Sequence, residues 1–159
     1  MTATPLNWQL KSSDQLNADD VYALLALRSA VFVVEQQCIF QDIDGLDLTD
    51  GTWHLLAWQD QRLVGCLRVF DPSLRDGEVV IGRVATDASV RGRGVGHQLM
   101  ERALQYCEMR WPRRATYLSA QSHLDAFYAK HGFVVVTEPY LEADIPHVGM
   151  RRIGDHALA

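Results

Sequence analysis

The residues best suited to chemistry by type and spacing form the run Arg91-Gly92-Arg93-Gly94-Val95-Gly96. Residues 78–86 before it read as a strand and residues 97–109 after it as a helix. Glycines let a backbone pass close to a ligand and take positive φ, and a helix start presents unpaired N–H groups with partial positive charge. Arg91 and Arg93 add full charges, so the run describes an anion site suited to a diphosphate. A P-loop is excluded, because no Gly-Lys-Ser/Thr follows. The dinucleotide fingerprint fails as well, since its third glycine position is occupied by His97. Arg91-x-x-Gly94-x-Gly96 after a strand remains, either as a diphosphate cradle or as a glycine-rich turn without a ligand.

Other reactive side chains give weaker patterns. His123 and His131 are spaced along one expected helix and His97 stands at the glycine run, with no carboxylate or cysteine completing a ligand set, so no metal is expected. Asp42, Asp44, Asp47 and Asp50 cluster in a glycine-containing loop but lack the Asp-x-Asp-x-Asp-Gly order of a calcium loop. They read either as a solvated loop or as an acidic rim able to attract a cationic amine, with Asp42 and Asp44 as the acceptor-binding pair. Cys38, Cys66 and Cys107 are odd in number and widely spaced, which suggests reduced thiols in a cytoplasmic protein.

The elements that must position these groups follow a mixed α/β order. With 159 residues, 48% of them hydrophobic, and no internal repeat, residues 1–159 are expected to form one domain. A net charge of −5 argues against nucleic acid, and no membrane span or secretory leader is apparent, Met1 to Gln9 included. A short first strand is expected over 8–12. Asn17 can cap a helix from Ala18 whose apolar stripe, Val21, Leu24, Leu25, Leu27 and Arg28, continues through Val31 and Phe32 towards Glu35. Residues 53–58 and 63–70 read as a hairpin. Pro112 ends the helix after the glycine run, 115–120 is the next strand, and Ser122 can cap a helix to about His131 with Gly132 at its C-terminus. Strands are expected over 133–136 and 148–153, separated by a loop holding Pro139 and Pro146.

This order, with the glycine run after its strand, resembles the GNAT N-acetyltransferases, which hold acetyl-coenzyme A. Phe127-Tyr128-Ala129-Lys130-His131-Gly132-Phe133 is similar to their second signature. Ala30-Val31-Phe32-Val33-Val34-Glu35-Gln36, Gln41-Asp42-Ile43-Asp44-Gly45, Ile81-Gly82-Arg83-Val84 and Ile145-Pro146-His147-Val148-Gly149-Met150 resemble the ElaA-like subgroup. The resemblance implies an α/β fold of α+β type, with a central mixed, mostly antiparallel sheet of about six to seven strands flanked by about four helices. It also implies acetyl transfer from acetyl-CoA to a primary amine of a small cationic molecule or a protein, by direct attack in a ternary complex. The partners are then acetyl-CoA and the amine, for a monomer or homodimer without metal, nucleic acid or membrane. A non-catalytic acyl-CoA sensor is the alternative.

Carried over position by position, the resemblance assigns coenzyme A to Val84, Ala85 and Thr86 on the strand, to Arg91, Gly92, Arg93, Gly94, Val95 and Gly96, and to Gln121, where many members carry an Asn. It makes Tyr128 the acid that protonates the leaving sulfur, a role suited to a phenol that stays protonated at neutral pH. The alternative is a core aromatic beside Phe127. An alkylammonium titrating near 10.4 costs about 4–5 kcal/mol to neutralise at neutral pH, so a base is needed. Glu78 at the strand start and Glu35 at the helix end are the candidates; either can equally be a solvated charge. His147 stands in the segment that closes over the acceptor side in the family, and reads as acceptor-binding or as packing.

Overall fold

The computed structural model describes residues 4–154, so the ends of the expected domain, 1–3 and 155–159, lie outside the described residues. Strand β1 (Asn7–Ser12) leads to helix α1 (Ala18–Arg28). The cap expected at Asn17 is present and reciprocal: its side chain accepts from the Asp20 N–H at 2.8 Å, and the Asp20 carboxylate accepts from the Asn17 N–H at 3.1 Å. Beyond Arg28 the chain keeps its helical sense but widens into a π-helical segment, Ser29–Glu35, in place of the regular helix expected there. Such widened turns shift the residues beyond them round the axis and often mark functional sites.

Strands β2 (Thr52–Gln59) and β3 (Arg62–Phe70) form the expected hairpin, turning through Asp60 at φ 56°. Strand β4 (Val79–Thr86), helix α2 (Val95–Arg110), strand β5 (Thr116–Gln121), the short helix α3 (Asp125–Ala129) and strands β6 (Val134–Val135), β7 (Tyr140–Glu142) and β8 (Ile145–Arg152) complete the chain. The sheet order is β1-β2-β3-β4-β5-β8-β6, with β7 on the other half of the β8 edge. Every pairing is antiparallel except β4 with β5. The expected mixed, mostly antiparallel α/β sheet is present, with eight strands and three α-helices among the described residues against about six to seven strands and about four helices expected.

Two differences bear on the site. Residues 140–142, expected as loop, pair with 145–147 as a tight hairpin whose turn residues Ala143 and Asp144 take φ of 50° and 61°. The helix expected from Ser122 is a single 3-10 turn, Ser122–Leu124, followed by five α-helical residues. No side-chain cap forms at Ser122; Gly132, at φ 90°, does supply the left-handed exit.

One face of the sheet packs α2 through Val95, Leu99, Met100, Ala103, Leu104 and Cys107 against Val64, Val69, Ile81 and Met150. The other packs α1 through Leu24, Leu27 and Val31 against Leu56, Cys66 and Ala85. Parallel pairing of β4 with β5 is confined to Val79–Thr116 and Val80–Tyr117. Beyond it the strands part, and the backbone of β4 from Ile81 onward loses its neighbour on that side. The sheet thus opens into a cleft between its two halves.

Candidate active site

The cleft has a volume of about 380 Å³. Ile81, Gly82, Arg83 and Val84 line it from β4 and Leu118, Ser119, Ala120 and Gln121 from β5, so unpaired strand backbone is exposed to whatever enters. Of the β4 positions assigned to coenzyme A, Val84 lines the cleft, whereas Ala85 and Thr86 pair with Cys66 and Gly65 of β3. Arg83 is at φ 53°, beside the irregularity that shifts the β3–β4 register between Cys66 and Arg68. The bulge turns β4 away from a regular ladder where the cleft begins.

Beyond β4 the glycine run leads straight into α2. Gly92 and Gly94 take φ of 80° and 77°, and a Cβ on either would meet nothing within 4 Å, so the space in front of the helix start is open. Gly94 caps α2 and its carbonyl accepts from the Gln98 N–H at 3.0 Å. The first-turn N–H groups therefore face that open space, an arrangement that fits a diphosphate. Gly96 differs: a Cβ there would stand 3.3 Å from Cζ of Phe127, so its missing side chain admits α3 against α2. Arg93 and Arg91 are exposed.

Arg91 is already engaged. Its Nη1 lies 2.6 Å from Glu35 and its Nη2 donates to the Thr86 carbonyl at 2.8 Å. Close by, Nε2 of Gln121 donates to Oε1 of Gln36 at 3.0 Å. The end of the π-helical segment thus spans the mouth of the groove, holding two of the groups assigned to coenzyme A.

On the far side the cleft is lined by Phe32, Gln36, Cys38 and Phe40, by Tyr128 and Leu124, and by Glu142, Ala143 and His147. Tyr128 is 8% exposed, and burial alone pushes its phenol up to about 12, keeping it a proton donor. Its ring packs edge-on against Phe127 and Phe133. The residue is thus at once a core aromatic and a cleft-lining hydroxyl. His147 lies on β8 between Gln121 of β5 and Tyr140 of β7, with its Nδ1 2.7 Å from the Ile145 carbonyl and its Nε2 3.4 Å from Glu142. Burial pushes the Cys38 thiol up, so it is no thiolate.

Three expectations are corrected by these placements. Glu78 is taken up by Arg151, whose Nε and Nη2 donate to it at 2.6 and 3.0 Å, and Glu35 by Arg91; neither lines the cleft, so neither is placed as a base. Three of the four aspartates expected as an acidic rim are likewise taken up, Asp50 alone being exposed without an ion pair among the described residues. Asp42 accepts from Arg28 at 2.9 Å and lies 2.9 Å from Arg83; Asp44 meets Arg68 at 2.9 Å and Arg83 at 3.4 Å; Asp47 lies between Arg28 and Arg68 at 2.6 and 2.9 Å. Three carboxylates face three guanidiniums, leaving no surplus negative charge at Asp42 or Asp44 to draw an amine. Buried His54 completes the cluster, Nε2 to the Asp47 carbonyl at 2.9 Å. Burial would raise Asp44, but the Arg68 hydrogen bond, the Leu46 N–H and the charges of Arg68 and Arg83 outweigh it and bring it down to about 2.

Residues 14–153 match the family model of the acetyltransferase (GNAT) domain. The chain belongs to the GNAT acetyltransferase family. Within GNAT proteins it is similar to Protein ElaA of Escherichia coli strain K12, at 47% identity over 92% of this chain and 96% of that protein. The crystal structure of Escherichia coli ElaA superposes with a TM-score of 0.88, covering 93% of this chain and 99% of that one. That of an acyl-CoA N-acyltransferase from Pseudomonas aeruginosa superposes with a TM-score of 0.90 at 55% identity, covering 93% and 99%. The GNAT family uses acyl-CoA, in keeping with the open strand β4 and the glycine run that follows it.

Phe32, Gln36, Cys38, Phe40, Arg83 and Glu142 are cleft residues to which the sequence alone assigned no site role. The irregular backbone from 36 to 41 has no period that would mark its inward side chains. The short β7 hairpin turns on Ala143-Asp144, which lacks the Asn-Gly or Asp-Gly signal.

Proposed function

We propose that this protein transfers an acetyl group from acetyl-CoA to a primary amine, of a small molecule or a protein, by direct attack in a ternary complex. Residues 1–159 would act as one domain in the cytoplasm, a setting suited to the free thiols of Cys38, Cys66 and Cys107. The observation that carries the reading is the cleft itself. Open β4 backbone and a protonated tyrosine line it, and β4 leads on in sequence to an open helix start with two positive-φ glycines.

The α2 N-terminus with Arg91 and Arg93 would hold the diphosphate, and Gly82 to Val84 would meet the pantetheine amides and thioester oxygen through backbone groups. Holding both reactants in one cleft lowers the entropic barrier to attack. Tyr128 would donate its proton to the departing sulfur, and its burial keeps that proton available at neutral pH. The apolar walls, Phe32, Phe40, Leu118 and Leu124, exclude water that would compete as nucleophile. Asp42 and Asp44 are left to shape the acceptor loop.

Thiol release from acetyl-CoA in the presence of a panel of primary amines tests this reading. Amine-dependent release with an acetylated product in the mass spectrum is expected. A protein that binds coenzyme A in calorimetry and releases no thiol with any amine would instead be an acyl-CoA sensor.

A further inference from the structure

With Glu35 and Glu78 tied to arginines outside the cleft, the base has to be sought among the groups lining it. Those able to accept a proton are His147, Glu142 and Cys38. The Cys38 thiol is raised by burial, and Glu142 is mostly solvated, its side chain 58% exposed. His147 differs from both in being fixed. A carbonyl only accepts, so the 2.7 Å contact to Ile145 places a hydrogen on Nδ1, and a neutral ring then carries its lone pair on Nε2. The ring is held further by stacking on Tyr140, whose hydroxyl bonds Ser119.

Glu142 stands 3.4 Å from Nε2, an arrangement that repels when both groups are deprotonated and stabilises an imidazolium once it forms. The groups around the ring are Glu142 and Tyr140 from β7 and Gln121 from β5, with Arg83, Tyr128 and Cys38 elsewhere on the cleft wall. The only cation among them, Arg83, is occupied by Asp42 and Asp44. The charged group next to Nε2 is thus the Glu142 carboxylate.

We infer that His147 is the catalytic base that takes the proton of the acceptor ammonium on Nε2, with Glu142 as its positioning residue. The inference rests on the proposed transfer to a primary amine. The ammonium gives one proton to Nε2, and its freed electron pair forms the C–N bond as the thioester carbonyl becomes an oxyanion. The nitrogen sheds a second proton while the C–S bond breaks and the sulfur takes the Tyr128 proton. One of the two nitrogen protons restores Tyr128 and the other leaves His147 to solvent, so each turnover releases one thiol and one proton.

The test compares ethylamine, an ammonium at neutral pH, with trifluoroethylamine, already mostly uncharged there, as acceptors for the full-length protein. Thiol release is followed against pH for the parent, His147→Gln and the more exposed site's Glu142→Gln. With ethylamine, His147→Gln is expected to lose 10²- to 10⁴-fold in kcat and the acidic limb of the profile, while trifluoroethylamine loses less than tenfold. Glu142→Gln, which removes a carboxylate that favours the imidazolium, should move that limb to lower pH. Equal losses with both amines in a folded His147→Gln, or an unmoved limb in Glu142→Gln, would overturn the inference while leaving the transfer reading intact. A parent that releases thiol with neither these amines nor any other primary amine of the panel, at any pH, would overturn the transfer reading and this inference with it.

Discussion

The two walls of the cleft are built by different means. The side proposed for coenzyme A, β4 to α2, is shaped by backbone: a bulge at Arg83, two glycines at positive φ and a helix start, all within the span from residue 82 to residue 95. The side proposed for the acceptor, which lines the cleft through Phe32, Gln36, Cys38 and Phe40 of the irregular segment 29–51, is held by side chains. Arg28, Arg68 and Arg83, from α1, β3 and β4, clamp Asp42, Asp44 and Asp47. A backbone-shaped wall can hold a constant ligand through its N–H groups, whereas a wall hung on ion pairs can change its lining without altering the fold. The charges of Asp42, Asp44 and Asp47 are thus used on the protein itself.

Breaking the clamp should give the largest effect on stability. Arg28 is fully buried with two carboxylates, so Arg28→Met leaves buried charge uncompensated and should cost about 3–5 kcal/mol. At roughly 2–4 °C per kcal/mol for a chain of this size, thermal denaturation should show a clear fall in Tm. A Tm within a degree of the parent would mean that the clamp does not hold the acceptor wall.

The coenzyme wall should break differently. Gly94→Val puts a β-branched residue at φ 77° and a side chain into the open space before α2, so coenzyme A affinity should fall at least tenfold in calorimetry. Gly96→Val should instead lower stability through Phe127. If the two variants behave alike, the distinction between a ligand-facing and a packing glycine is lost.

Acid sharpens the same comparison. Asp44 titrates at about 2 in the folded protein against about 3.9 in an unfolded chain, so its contribution is present above about 4 and lost as pH falls towards 2. Asp47 is lowered in the same direction, burial being outweighed by Arg28 and Arg68. Denaturant midpoints should therefore drop below pH 4, and Asp44→Asn should flatten that part of the curve. The smallest effect is expected at the bridge between the walls. Glu35→Gln frees Arg91 from an ion pair that competes with a diphosphate, so coenzyme A should bind a few-fold more tightly.

What was legible in the sequence follows the same division. The glycine run, the strand before it and Tyr128 were readable because their geometry is local: three glycines, a helix period, an aromatic before Gly132. The clamp was not. Arg28 appeared as one member of an apolar stripe and the aspartates as an acidic rim for an amine or a solvated loop, because the partners are 14 to 41 residues apart in sequence. Nothing in a local window tells a carboxylate facing solvent from one facing a buried guanidinium. The π-helical turn was equally hidden, since Val31 and Phe32 satisfy the ordinary helical period.

Tyr128→Phe gives the most direct test of the claim that the cleft performs acyl transfer. The change keeps the ring packed on Phe127 and Phe133 and removes only the hydroxyl. Coenzyme A affinity by calorimetry should stay within about twofold, while amine-dependent thiol release should fall by roughly ten- to a thousand-fold. Unchanged turnover in a folded Tyr128→Phe protein would contradict the account.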